Sequence, residues 1–278
     1  MEWWQSIILG IVEGLTEYLP VSSTGHILLT QRLLGIESST AADAYAICIQ
    51  AGAILAVLGL YFQRVKQMSA GVFGKDPVGR TLATNIIAAF IPAAALGLLL
   101  EKPIKQHLFG GELGLWPIVA AWFVGGVAIL VVSWTRKKEA RSGLALESMT
   151  WKMAVLIGVA QCIAMWPGVS RSLVTIVGGV LMGLSLPAAV EFSFLLGVVT
   201  LGAATAYDML KHGPEMLAEY GPFSLFLGFI TAWISAVIAV KWMVGYLKSH
   251  GMQIFGYYRV GLAIIVAMLI ISGFIQNS

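Results

Sequence analysis

Apolar residues fill this chain in long runs. Six of the runs reach the ~20 residues that a helix needs to cross the ~30 Å hydrocarbon layer of a bilayer. They fall near 42–63, 81–100, 116–135, 187–207, 223–247 and 255–275. Two further apolar segments, 3–35 and 152–185, are interrupted midway, over Leu19–Gly25 (Leu-Pro-Val-Ser-Ser-Thr-Gly) and over Trp166–Ser172 (Trp-Pro-Gly-Val-Ser-Arg-Ser). Proline stops a helix, and glycine with serine favours a turn followed by a new N-cap. Each half is too short to span alone. Both segments are therefore predicted to be re-entrant helical hairpins, which a membrane tolerates only where the turn is buried in protein or faces water. The pattern predicts an all-α polytopic membrane protein with six transmembrane helices and two re-entrant hairpins.

The two interrupted segments are related. At an offset of 148 residues Gly10 aligns with Gly158, Glu13 with Gln161, Val21 with Val169 and Ser22 with Ser170. Residues 1–150 and 151–278 then read as two repeats, each a hairpin followed by three spans. Three is odd, so the second repeat is inverted relative to the first. Inverted repeats with broken helices place a site near the midplane, where the breaks meet. Basic residues gather in alternate loops: Arg64, Lys66, Lys75 and Arg80; then Arg136, Lys137, Lys138, Arg141 and Lys152; then Lys241, Lys248 and Arg259 around a third. The intervening loops carry Glu101, Glu112, Asp208, Glu215 and Glu219. By the positive-inside rule the basic loops are cytoplasmic, which puts both termini and the open end of the first hairpin on the periplasmic side. Trp3, Trp4, Trp116 and Trp134, near span ends, suit interfacial anchors.

Composition agrees with this reading. Of 278 residues 58% are hydrophobic and only 11% charged, against roughly 25% charged in soluble domains. The net charge of +3 is spread over loops and gives no footing for nucleic acid. The first apolar stretch lacks a basic leader and carries Glu13 and Glu17, unlike a cleaved signal peptide. Cys48 and Cys162, far apart in apolar segments, read as core residues rather than as a disulfide or a metal pair.

Ionisable and hydroxyl groups in lipid are expensive unless they line a cavity, pair with one another or bind a ligand. The first hairpin concentrates them. Glu13 and Glu17, four apart, share one helix face. With an oxyanion nearby they can hold Mg²⁺, which uses one or two carboxylates plus phosphate oxygens; one of them could instead act as a general base. Ser22, Ser23 and Thr24 sit where a helix begins, and free N–H groups and the helix dipole there attract phosphate. Ser170 and Ser172 repeat the arrangement in the second hairpin, where Gln161 takes the position of Glu13. His26, alone among the four histidines, shares a segment with the acids; it can activate a hydroxyl, protonate a leaving group or attack phosphorus itself. Arg171, between two serines, offers a planar fork for phosphate, or for Glu13 or Glu17 across the hairpins until substrate displaces them. Glu191, just after Ser185 and Pro187, is placed where a helix N-terminus would stabilise it, and a structural and a functional role stay equally open. Together the set points to a phosphorylated substrate.

The stretches Glu13–His26 (Glu-Gly-Leu-Thr-Glu-Tyr-Leu-Pro-Val-Ser-Ser-Thr-Gly-His) and Pro167–Ser172 (Pro-Gly-Val-Ser-Arg-Ser) resemble the two signature motifs of the bacterial undecaprenyl pyrophosphate phosphatases, the bacitracin-resistance family. The likeness covers essentially the whole chain. It implies a hydrolase of the bacterial inner membrane that removes one phosphate from a C55 isoprenyl pyrophosphate, recycling the lipid carrier for cell-wall synthesis with the help of Mg²⁺ or Ca²⁺. It assigns the family's acids to Glu13 and Glu17, its serine and histidine to Ser23 and His26, and its arginine to Arg171. The expected catalytic set is Glu17, Ser23, His26 and Arg171, with Ser22, Thr24, Gln161, Ser170 and Ser172 around the pyrophosphate and Glu13 and Glu17 on the metal. One departure is visible. Many members carry an acid just before a Val-Val-Ile-Gln stretch, whereas this chain has Ala46 there, with Asp43 as the nearest substitute. The nucleophile stays open between Ser23, His26 and water, and the oligomeric state stays open with a dimer included. A transporter or flippase for a lipid phosphate or another anion is the rival reading, because broken helices in inverted repeats are also a transporter design. The carboxylate pair with His26 favours the enzyme.

Overall fold

The computed structural model describes residues 1–37, 39–104, 114–136 and 142–275. In chain order its helices are α1 (Trp3–Thr16), α2 (Ser23–Leu33), α3 (Thr40–Leu60), α4 (Phe62–Val72), α5 (Pro77–Ile104), α6 (Trp116–Thr135), α7 (Trp151–Gln161), α8 (Arg171–Leu181), α9 (Leu186–Leu247) and α10 (Gln253–Ile271). Short 3₁₀ turns occupy Leu146–Ser148 and Cys162–Met165. No strand occurs among the described residues; Leu144 and Leu184 make a single isolated bridge. Lys137, Lys138, Arg141 and Glu112 of the predicted charged loops lie outside the described residues, as does the side chain of Glu101.

Helices α3, α5, α6, α9 and α10 are long and apolar enough to cross a membrane. The interrupted segments fold as expected into pairs of short helices. With 14 residues in α1 and 11 in each of α2, α7 and α8, they extend only about 16–21 Å at 1.5 Å per residue. The bounds of α2 and α8 differ by the offset of 148 at both ends. Just before each of them stand the only described non-glycine residues with positive φ, Ser22 at 75° and Ser170 at 77°. A side chain pays strain in that region, so the two turns share an unusual backbone as well as a sequence.

Two expectations are corrected. The loop expected near 208–222 is helical almost throughout: α9 runs on past 207 and breaks only at Gly221 (φ 73°, ψ 160°). Pro222 bars the preceding residue from the helical region, and glycine accepts the positive φ that results. The break lets α9 double back along α3. Glu191 pairs with Arg64 and Thr205 bonds to the Ile47 carbonyl, so the first arm is antiparallel to α3. Tyr45 bonds to the Ser224 carbonyl, and Gly52 lies against Phe229, so the second arm runs parallel to it. The second correction is Arg259. It does not flank a solvated loop but is fully buried on α10.

Close approach of backbones depends on small residues, as membrane helix packing generally does. A Cβ at Gly14 would sit 2.2 Å from the Ala232 carbonyl oxygen, and one at Gly10 2.4 Å from that of Gly228. The Arg259 guanidinium then ties the hairpins to this frame. Nη1 donates to the Pro20 carbonyl (3.3 Å) and Nη2 to those of Ala121 (2.8 Å) and Gly168 (2.9 Å), while Nε donates to Trp122 (3.3 Å). One side chain thus joins both turns to α6. Trp122 Nε1 donates to the Val21 carbonyl (3.1 Å), and Trp166 Nε1 to that of Pro117 (3.1 Å).

Replacing Arg259 by Met orphans the Pro20 and Gly168 carbonyls, a loss of about 2–6 kcal/mol at about 1–3 kcal/mol per buried group. Thermal unfolding in detergent should show a clear drop in midpoint, with Arg259→Lys intermediate; a midpoint equal to that of the parent protein would contradict the role. Gly14→Val should also lower the midpoint, by overpacking worth about 1–3 kcal/mol, and an unchanged midpoint would show that α1 does not pack as described.

Candidate active site

The residue after each strained serine starts a short helix, so Ser23 and Arg171 both sit in a first helical turn. The capping serines are already engaged. Ser22 Oγ accepts from the Gly25 N–H (3.5 Å), and Ser170 Oγ from that of Leu173 (3.2 Å). The hairpins meet directly: Ser172 Oγ bonds to Ser170 Oγ (2.9 Å) and donates to the Leu19 carbonyl (2.8 Å).

At this junction the Ser23 hydroxyl donates to Glu17 Oε2. The other carboxylate oxygen accepts from Arg171 Nη2 (3.1 Å). Arg171 also donates through Nη1 to the Ser193 carbonyl of α9 (2.8 Å) and lies 5.2 Å from the centre of the Tyr18 ring. Room for it exists because residue 197 is glycine, where a Cβ would come within 2.4 Å of Nη1. Among the described residues Arg171 Nε and Gln161 Nε2 are buried with no hydrogen-bond partner. Both residues line a cavity of about 280 Å³, along with Glu17, Ser22, Ser23 and Ser170. A buried donor without an acceptor is costly, and an anion in this cavity would meet both. A larger cavity, of about 320 Å³, lies beyond the C-terminal end of α8 beside Lys248 and His250. It holds none of the polar residues of the hairpin turns, so chemistry rather than size selects the site.

The structure brings together Glu17, Ser22, Ser23, Thr24, Gln161, Ser170 and Arg171. It places three expected residues elsewhere. Ser172 is fully buried behind the cavity wall, spent on the Leu19 carbonyl. His26 Nδ1 lies 2.7 Å from the Ser22 carbonyl, so this nitrogen carries the proton; Nε2 lies 2.8 Å from the Tyr258 hydroxyl, against whose ring the imidazole stacks. Among the described residues no hydrogen bond links His26 to Ser23. Glu13 faces a neighbouring cavity rather than this one. Glu191, near the start of α9, pairs with Arg64 Nε at 2.6 Å, and Arg64 Nη2 holds Glu147 at 2.6 Å. Cys48 and Cys162 are free thiols.

Among the described residues no three His, Cys, Asp or Glu side chains are grouped to hold a metal ion. The donor set still fits a divalent cation in part. Among the described residues Glu13 Oε1 is buried with no hydrogen-bond partner, whereas both oxygens of Glu17 are occupied. Sequence reasoning did not reach Tyr258, Trp122 or the true place of Arg259. Each lies far along the chain from the hairpin it serves, and only the unusual polar residue in an apolar run could have flagged it.

Residues 6–265 match the family model described as Bacitracin resistance protein BacA. The chain is 44% identical to an undecaprenyl-diphosphatase of Sorangium cellulosum, over 97% of this chain and 87% of that protein. It is 43% identical to an undecaprenyl-diphosphatase of Aquifex aeolicus, over 96% and 98% of the two chains. Against undecaprenyl-diphosphatase 2 of Rhodospirillum rubrum the identity is 40%, over 99% and 97%.

Proposed function

The chain belongs to the bacitracin resistance protein BacA family, and we propose that its buried site hydrolyses undecaprenyl diphosphate to the monophosphate and inorganic phosphate. It is a multi-pass membrane protein acting on a lipid substrate. The observation that carries the catalytic reading is the chain of contacts from the Ser23 hydroxyl through the Glu17 carboxylate to the Arg171 guanidinium, on the wall of a cavity with unpaired donors.

In this reading the diphosphate enters between the N-termini of α2 and α8, where Arg171 and Gln161 Nε2 take its oxygens. Ser23 Oγ attacks the terminal phosphorus and passes its proton to Glu17. The bridging P–O bond breaks, and the lipid monophosphate leaves with the proton that Glu17 had taken. Water then attacks the phosphoserine and gives its proton to Glu17, which returns it to Ser23 Oγ as phosphate departs. Arg171, freed from Glu17 as that group is protonated, neutralises the charge that builds on the equatorial oxygens. His26 holds the turn through the Ser22 carbonyl. A divalent cation bound by Glu13, with Glu17 as the expected second acid, would add charge neutralisation on the phosphates.

The finer topology belongs to the same proposal. If the two arms of α9 are separate spans, six spans and two re-entrant hairpins form the inverted repeats 1–150 and 151–278. The twin serines at positive φ and the equal offset of α2 and α8 support this. The cytoplasmic placement of the basic loops opens the site toward the periplasm. A transporter is the weaker alternative, because an anion carrier gains nothing from a carboxylate set between its hydroxyl and its guanidinium.

Phosphate release from undecaprenyl diphosphate by the detergent-purified protein with Mg²⁺ tests the reading. Ser23→Ala and Glu17→Gln should each lower kcat by about 10²-fold or more, the range for loss of a nucleophile or its base. Rapid quench with terminally labelled substrate should trap label on the parent protein and none on Ser23→Ala. Label on the alanine variant would exclude Ser23 as nucleophile, and no release from folded parent protein would favour transport.

A further inference from the structure

The carbonyl of Ser22 begins the peptide that leads into Ser23, so its direction sets where the Ser23 hydroxyl can stand. It accepts two hydrogen bonds from one residue: the His26 backbone N–H donates at 3.3 Å and His26 Nδ1 at 2.7 Å. The second hairpin shows what the side chain adds. There the Ser170 carbonyl accepts the Val174 N–H, also at 3.3 Å, and among the described residues no other donor. Val174 stands at the offset of 148 from His26, and its side chain has nothing to donate. The two turns otherwise share their backbone, with φ of 75° at Ser22 and 77° at Ser170. Such a turn therefore forms without the imidazole. The extra bond belongs to the turn that carries the Ser23 hydroxyl.

That bond depends on which ring nitrogen holds the proton. A carbonyl only accepts, so Nδ1 is protonated, and the neutral imidazole then keeps its lone pair on Nε2. The Tyr258 hydroxyl lies 2.8 Å from Nε2 and donates to that lone pair. The partner of one imidazole nitrogen thereby holds the proton on the other. The opposite tautomer would set the Nδ1 lone pair against the carbonyl oxygen. The ring of Tyr258 also stacks on the imidazole, with centroids 5.8 Å apart and planes within 8°, and Trp122 meets it edge-on at 5.3 Å. Tyr258 is the neighbour of Arg259 on α10, but the two residues do different work. Arg259 is fully buried and holds carbonyls of both turns. Tyr258 is about half-exposed and reaches the serine turn alone, through His26.

We propose that Tyr258 is a positioning residue for the reaction: its hydroxyl fixes the His26 tautomer, and His26 fixes the Ser22–Ser23 peptide and with it the aim of the Ser23 hydroxyl. Among the described residues lining the phosphate cavity there is neither Tyr258 nor His26. Both therefore act on the turnover of bound substrate rather than on its capture. The purpose of this arrangement rests on the phosphatase reading; the state of the imidazole does not.

The full chain in detergent is compared with Tyr258→Phe, His26→Gln and the double variant, by phosphate release from undecaprenyl diphosphate and by nitrogen NMR of histidine-labelled protein. Tyr258→Phe should lower kcat by about tenfold, less than the ~10²-fold that a 1 Å misplacement costs. Its KM should stay within about twofold, because no substrate contact is lost. His26→Gln should also lower kcat, and Tyr258→Phe should then add no further loss, since glutamine has no tautomer to fix. The His26 signals are those that vanish in His26→Gln. They should show Nδ1 protonated in the parent protein and a shifted Nε2 in Tyr258→Phe. Gel-filtration profile and unfolding midpoint report whether each variant is folded. An unchanged kcat in Tyr258→Phe, a rise in KM that accounts for the loss, losses that multiply in the double variant, or a parent imidazole protonated at Nε2 rather than Nδ1 would each overturn the proposal. If the parent protein releases no phosphate while Tyr258→Phe still shifts Nε2, the link from Tyr258 to His26 stands and the phosphatase reading falls. Phosphate release with Nε2 indifferent to Tyr258→Phe would do the reverse.

Discussion

Four consecutive carbonyls in the first hairpin turn, those of Leu19, Pro20, Val21 and Ser22, set the constraint on which the rest of this molecule is built. A turn at membrane depth cannot hand its polar groups to water, and each one left unmet is costly. Here each carbonyl receives a donor from a different place: Ser172 of the second hairpin, Arg259 of α10, Trp122 of α6 and His26 of α2. Meeting the backbone's demand therefore fixes where four other elements stand. Arg259 extends the same solution to the second turn through the Gly168 carbonyl.

The chemistry follows from that assembly. With the turns held together, Ser23 and Arg171, each in a first helical turn, come to opposite sides of Glu17 although 148 residues separate them in sequence. Glu17 is not an isolated buried charge, since one oxygen pairs with Arg171 and the other accepts a hydrogen bond from the Ser23 hydroxyl. Among the described residues Arg171 Nε and Gln161 Nε2 stay buried without a partner on the wall of the cavity beside this contact.

Much of this was legible in sequence because it is local. Proline, glycine and serine mark the breaks; the offset of 148 relates the hairpins; acids and hydroxyls in apolar runs mark the site. What escaped reading depends on contacts between distant segments. Arg259 looks like one more loop charge until four carbonyls surround it. Ser172 looks like a partner of the phosphate until the Leu19 carbonyl claims it, and His26 like a base for Ser23 until Ser22 and Tyr258 hold both its nitrogens. The run through 208–220 was expected to be a loop from its charges, yet only the Gly221–Pro222 step ends the helix.

The central claim is that the two hairpin turns form one diphosphate site. A structure with a methylene-bridged diphosphonate analogue of the lipid tests it most directly. The account predicts both phosphonates between the N-termini of α2 and α8, with an oxygen at about 2.7–2.9 Å from the Arg171 guanidinium and Glu17 turned away from it. An analogue seated in the cavity beside Lys248 and His250, with the Glu17–Arg171 contact intact, would contradict it.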